Sequence, residues 1–166
     1  DVYKRQGLAT VSTSTDGETW TTPIKVGSGV TWMDIAYGNG KFVVVDANGY
    51  ISSSTDGVTW TNPKMVEGKQ WNCITYGNGK FVVADNYRGY VSTSTDGETW
   101  TTAKQVGGVS NSWQDIAFGN GKFIVVGNSG YYATSTDGDT WSTPTQIKNE
   151  TGSTVSVYLY GVCATQ

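Results

Sequence analysis

A seven-residue string recurs four times along the chain. Ser14-Thr-Asp-Gly-Glu-Thr-Trp20 returns as Ser54-Thr-Asp-Gly-Val-Thr-Trp60, Ser94-Thr-Asp-Gly-Glu-Thr-Trp100 and Ser135-Thr-Asp-Gly-Asp-Thr-Trp141, at spacings of 40, 40 and 41 residues. A second string keeps the same beat. Trp32-Met-Asp-Ile-Ala-Tyr-Gly-Asn-Gly-Lys-Phe42 matches Trp71-Asn-Cys-Ile-Thr-Tyr-Gly-Asn-Gly-Lys-Phe81 and Trp113-Gln-Asp-Ile-Ala-Phe-Gly-Asn-Gly-Lys-Phe123, with a weak fourth copy at Val155–Gly161. A repeat of this size is one supersecondary unit that cannot bury its apolar faces alone, so neighbours must stack. No linker interrupts the period, and the 166 residues read as one array, a single domain over 1–166.

Each period predicts four short strands. Trp32–Tyr37 is apolar and aromatic, and Gly38-Asn39-Gly40 supplies an Asn-Gly hairpin turn in which both central residues accept φ > 0. Phe42–Val45 is a continuous β-branched run, as in a strand covered on both faces. Ala47-Asn48-Gly49 turns the chain into Tyr50–Ser54, and Asp56-Gly57 turns it again into a fourth strand running from Trp60 to near Val66. No window has a helical period with caps. Four antiparallel strands in ~40 residues match one blade of a β-propeller, so the expected fold is all-β, with about four such blades. A Trp on a blade face buries about 150–250 Å². At ~25 cal/mol per Å² this amounts to several kcal/mol before entropy, which makes the seven periodic Trp residues core candidates.

The Ser-Thr-Asp-Gly-x-Thr-Trp string resembles the Asp-box, or BNR, repeat of sialidase-like β-propellers, whose pattern is Ser-x-Asp-x-Gly-x-Thr-Trp. Ser54, Asp56, Gly57, Thr59 and Trp60 supply its residue types in order, and every copy here is one residue shorter between Asp and Trp, a tighter turn. The resemblance spans residues 7 to 161. It implies a turn between third and fourth strands, and so an innermost strand at Trp32, the second at Phe42–Val45, the third at Tyr50–Ser54 and the outermost at Trp60–Val66. Three blades are expected at 31–66, 71–106 and 113–148. A composite blade combines 1–26 with 154–166: Thr154–Tyr160 innermost, and the second strand from Val2–Gln6 or Val162–Thr165. Such a chain either closes alone as four blades or associates with copies of itself to complete a larger ring. The family includes sialidases, lectins and non-catalytic surface or phage-tail modules.

The hexapeptide Asp1–Gln6 resembles the translated adapter tails that begin many metagenomic reading frames. The localisation expected is accordingly extracellular, or a virion or cell surface, with any signal lost by truncation. Cys73 and Cys163 make no disulfide framework or metal spacing and read as two small buried residues.

Composition narrows the chemistry. There is no His, and the net charge is −3. A nucleic-acid binder needs a Lys/Arg surplus for counterion release, and no apolar run approaches a membrane span. The absence of His excludes a Ser–His–Asp triad and removes the commonest zinc ligand. A sialidase needs three Arg on its substrate carboxylate, whereas this chain has Arg5 and Arg88 alone. Neither a metal nor a cofactor is expected, and the expected activity is recognition rather than catalysis.

Tracing the strands puts the Gly-Asn-Gly turns and Asp-boxes on one rim. The second-to-third strand turns and the inter-blade connections fall on the other. The first rim is nearly identical in every repeat, whereas the second diverges. Loops on a rigid scaffold are where recognition lives, so the ligand-binding candidates are Asn86, Tyr87, Arg88, Asn48, Asn128 and Gln70. Asp34 and Asp115, with Cys73 in the matching slot, are candidates to line the central channel. The expected partner is a glycan or cell-surface protein, engaged through repeated shallow sites; the rival expectations are a ligand-free assembly scaffold and, after it, a fragment of a sialidase-like glycoside hydrolase.

Overall fold

The computed structural model describes residues 2–6 (by backbone), 9–14, 16–28, 30–108 and 111–163. Four sheets follow one another along the chain, each an antiparallel meander. The first joins β1 (Val2–Gln6), β2 (Thr10–Ser14) and β3 (Ile24–Lys25). The second joins β4 (Trp32–Gly38), β5 (Lys41–Asp46), β6 (Tyr50–Ser54) and β7 (Lys64–Met65). The third joins β8 (Trp71–Gly77), β9 (Lys80–Asp85), β10 (Tyr90–Ser94) and β11 (Lys104–Gln105). The fourth joins β12 (Trp113–Gly119), β13 (Lys122–Gly127), β14 (Tyr131–Ser135) and β15 (Thr145–Gln146). The all-β blades and their strand order are as expected.

Two details differ. The outermost strands are only two residues long. The chain from Trp60 to Pro63 runs beside β6 and pairs with it where the Thr61 N–H donates to Ser53 O, at 2.9 Å; Pro63 has no N–H to extend a ladder. The composite blade also differs. Val2–Gln6 do form its second strand, with Val2 opposite Ser14 as Phe42 lies opposite Ser54. Thr154–Tyr160 do not form its innermost strand, because that segment stays beside the fourth sheet. There a turn closes on Asn149, whose Oδ1 accepts from the Thr151 and Ser153 N–H groups. An isolated bridge follows at Lys148 and Thr154. The alternative second strand, Val162–Thr165, falls partly outside the described residues.

The core lies in the seams between sheets. Trp71 packs with Ile74, Phe81 and Val83 of its own sheet and with Val43, Val45 and Ile51 of the preceding one. Trp113 repeats this against Val82, Ala84 and Val91, and Trp32 against Ala9, Val11 and Val26. These three indoles are at most 1% exposed. Trp32 Nε1 donates to Val26 O and Trp71 Nε1 to Val66 O, so two indole N–H groups are satisfied by the end of the preceding sheet. The indoles that end the repeated boxes, Trp60, Trp100 and Trp141, are half-buried at the edges of the same clusters, less enclosed than expected. Cys73 is buried, whereas Cys163 is exposed, contrary to expectation, and both thiols are free.

The repeated rim locks each sheet to the next. Asn39 and Gly40 both adopt positive φ, 49° and 72°, the hairpin geometry expected of Asn-Gly. The Asn39 side chain donates across the seam to Thr95 O and that of Asn78 to Thr136 O. Lys41 pairs with Glu98 and Lys80 with Asp139 in the same register. Below them the Tyr76 ring lies on Gly38 and the Phe118 ring on Gly77, so close that a Cβ on either glycine would stand 2.0–2.1 Å from the ring.

Candidate functional site

The two rims use their carboxylates differently. On the repeated rim each Ser-Thr-Asp-Gly box closes on itself: Asp56 Oδ1 accepts from Ser54 Oγ, Val58 N and Thr59 N, while Ser54 Oγ accepts from Gly57 N. The boxes at Asp16, Asp96 and Asp137 repeat this within 0.1 Å. Backbone N–H bonds, first that of Thr59, hold the Asp56 pKa down to about 2. Backbone bonds, led by Thr19, Thr99 and Thr140 respectively, hold the other three below the usual carboxylate range. Burial opposes ionisation of Asp139, yet its bonds to Lys80 and Thr93 outweigh burial and its pKa is lowered. The box Oδ1 atoms are occupied within their own turns.

The divergent rim is built on two buried carboxylates. Asp46 follows the Val43–Val45 run, and its Oδ1 accepts from the Asn48 and Tyr50 N–H groups while Oδ2 accepts from Thr31 N. Asp85 holds the next turn, its Oδ1 accepting from Tyr87, Arg88, Gly89 and Tyr90 N–H groups at 2.7–3.3 Å. The third copy has Gly127, where a Cβ would stand 2.2 Å from Ser112 O.

These turns carry the sequence candidates. Asn48 is exposed but bound to its own turn, its Nδ2 donating to Asp46 Oδ2 at 3.1 Å. Gln70 is exposed and its carbonyl accepts from Asn86 N. Tyr87 is 58% exposed, and the Arg88 guanidinium lies 5.1 Å from its ring centroid. Asn86 and Asn128 turn toward the inner strands. Asn86 Nδ2 donates to Asn72 Oδ1 at 3.2 Å, Asn72 Nδ2 donates to Gln114 O at 2.8 Å, and Gln114 Nε2 donates to Asn128 Oδ1 at 3.1 Å. This amide chain spans two sheets, and the buried Asn86 Oδ1 has no partner among the described residues. The sequence reading missed Asn72 and Gln114. Their signal is the slot after the inner-strand Trp, which holds Met33, Asn72 and Gln114 inside an otherwise nearly constant string.

Beneath the amides lies an open cavity of about 320 Å³, lined by Met33, Asp34, Asn72, Cys73, Gln114, Asp115 and Tyr160. Asp34 and Asp115 face it from matching slots, and both carboxylates also accept backbone bonds. Asp34 takes Ile35 N and, across the seam, Ile74 N; Asp115 takes Ile116 N and Val162 N. Burial, then the charges of Asp34 and Asp115, push the Cys73 thiol well above its ordinary pKa, which favours the protonated form. Among the described residues no cluster of three His, Cys, Asp or Glu side chains is placed to hold a metal. The site offers amide donors and acceptors, the Tyr87 and Tyr160 rings, the Asp34 and Asp115 carboxylates and one guanidinium.

No family model and no curated protein matches the chain. Solved structures do. It is similar to YCF48 bound to a D1 peptide, with a TM-score of 0.64, 19% identity, and 87% of this chain covering 49% of that one. It is similar to virginiamycin B lyase from Staphylococcus aureus, with a TM-score of 0.72, 13% identity, and 86% covering 50%. The Neurospora crassa Pan2 WD40 domain gives 0.67, 12%, and 86% covering 48%. These are β-propellers, and at such identity the likeness establishes the β-propeller fold alone. The chain spans about half the length of the structures it matches.

Proposed function

We propose that the chain is a non-catalytic propeller module that recognises an extended segment of a surface protein at the channel mouth and divergent rim. The observation that carries this reading is the pair of half-buried amides Asn72 and Gln114 lining the cavity, with exposed Tyr87 and Arg88 in the turn of Asn86, which bonds Asn72. Asn and Gln side chains carry the same donor and acceptor as a peptide unit, so they pair with backbone irrespective of its sequence. Tyr87 and Arg88 add a flat surface and a bidentate donor beside it. YCF48 with its peptide lends support, as a propeller that holds a polypeptide segment.

The expected glycan ligand belongs to the same reading, since hydroxyl groups also bridge amides and stack on rings. An extracellular or surface location, and kinship with the Asp-box propellers, are part of it too. Peptide and glycan arrays probed with the whole chain separate the cases. Peptide signals lost in Asn86→Ala and Tyr87→Ala support the proposal. Signals confined to sugars transfer the site to glycans. Silence on both arrays leaves the ligand-free scaffold and overturns recognition.

A further inference from the structure

The two ends of the array are complementary halves of one seam. Each inner-strand Asp slot serves the sheet that follows: Asp34 Oδ2 accepts from Ile74 N of the next inner strand at 2.8 Å. Asp115 Oδ2 accepts from Val162 N at 2.7 Å, so the C-terminal segment sits where the inner strand of a following sheet belongs. In that register Val162 takes the slot of Ile74, Gly161 that of Cys73 and Leu159 that of Trp71. At the opposite end the first sheet has no inner strand among the described residues. β4, β8 and β12 each cover the edge of the second strand of their sheet, whereas β1 is itself the edge. An unpaired edge is a template for another strand.

The side chains of the seam repeat this division. Lys41 and Lys80 bridge to Glu98 and Asp139 of the next box, while their counterpart Lys122 is exposed. Glu18 occupies the Glu98 slot in the first box and is also exposed. Val43 and Val82 are fully buried against Gly97 and Gly138, whereas Ile124, in their slot, is only half-buried and Gly17, in the glycine slot, is exposed. Tyr76 and Phe118 lie on the glycines of the preceding inner strand, while Tyr37, the first of the three, is 56% exposed. One end therefore presents Lys122, Ile124 and a docked inner strand. The other presents Glu18, Gly17 and an open β1 edge. Lys122 and Ile124 at one end thus have their partner types, Glu18 and Gly17, at the other.

We propose that two copies of this chain associate head to tail, the 159–163 segment of each completing the first sheet of the other. The closed ring then has eight blades, two of them composite. A heterologous contact of this kind must close or polymerise, and closure at two copies leaves no seam open.

Light scattering over a range of concentrations tests the proposal. A species of twice the chain mass is expected. A species of one chain mass at every concentration, or a ladder of larger species, overturns it. Lys122→Glu and Glu18→Lys alter only exposed side chains. Each alone is expected to raise the dimer dissociation constant about tenfold, and the double swap to restore it. Single variants that dissociate while keeping the native circular dichroism, rescued by the swap, support the seam; a dimer indifferent to both charges overturns it.

Discussion

The repeated rim and the divergent rim are made from the same strands, yet they spend their polar groups in opposite ways. On the first, each Ser-Thr-Asp-Gly box satisfies itself within seven residues and the Gly-Asn-Gly turns at Asn39 and Asn78 reach over to the next sheet. On the second, buried Asp46 and Asp85 hold turns whose outward residues differ in every copy, and the amides of the inner strands are drawn into a chain with an acceptor to spare. The first rim is closed chemistry that fixes blade against blade, and the second is open chemistry resting on that frame. Function can change on the second without disturbing the first.

Substitutions sharpen this contrast. The largest effect is expected at Gly77→Val: the Phe118 ring fills the space of its Cβ, and overpacking of this kind costs about 3 kcal/mol, read as a lower denaturation midpoint with unchanged slope. Asp96→Ala comes next. It removes the acceptor for Ser94 Oγ, Glu98 N and Thr99 N, so thermal denaturation is expected a few degrees lower, with faster amide exchange at Thr99.

Acid makes the same test without mutation. The folded pKa of Asp56 is about 2, below its ordinary 3.8. A carboxyl with a depressed pKa contributes stability that is complete above its unfolded value and lost as pH falls through the folded one. Thermal stability is therefore expected to hold above pH ~5 and to decline from about pH 4 toward 2, with a shallower decline in Asp96→Ala. The smallest change in stability is expected on the divergent rim. Tyr87→Ala and Arg88→Ala should move stability by under about 0.5 kcal/mol while abolishing array binding; a large loss of stability there would erase the distinction between the rims.

Much of the fold was legible because the repeat is nearly exact. Four boxes and three Trp-to-Phe strings determine strand number, order and seam, and the Val43–Val45 run marks the strand covered on both sides. The C-terminal strand misled for a physical reason. Tyr160-Gly161 matches Tyr37-Gly38 in type, but the Asn149 turn takes up residues before it, and the Asp115 bond to Val162 sets Gly161 four slots earlier. A hydrogen bond to backbone leaves no mark in the sequence. The candidate site was half legible. Divergence pointed to Asn86 and Asn128, whereas Asn72 and Gln114 lay hidden in a string that otherwise repeats, and Asn48 is consumed by its own turn. Asp46 and Asp85 recur at one slot but carry no sign that they are buried.

The self-contained box turn has a consequence for how such a protein changes over time. Because each copy completes its bonds locally, a whole period can be duplicated or deleted without orphaning a donor inside the copies that remain. The lineage can thus vary ring size by unequal crossing-over, as beads are added to a string, and only the joint where the circle shuts has to be renegotiated.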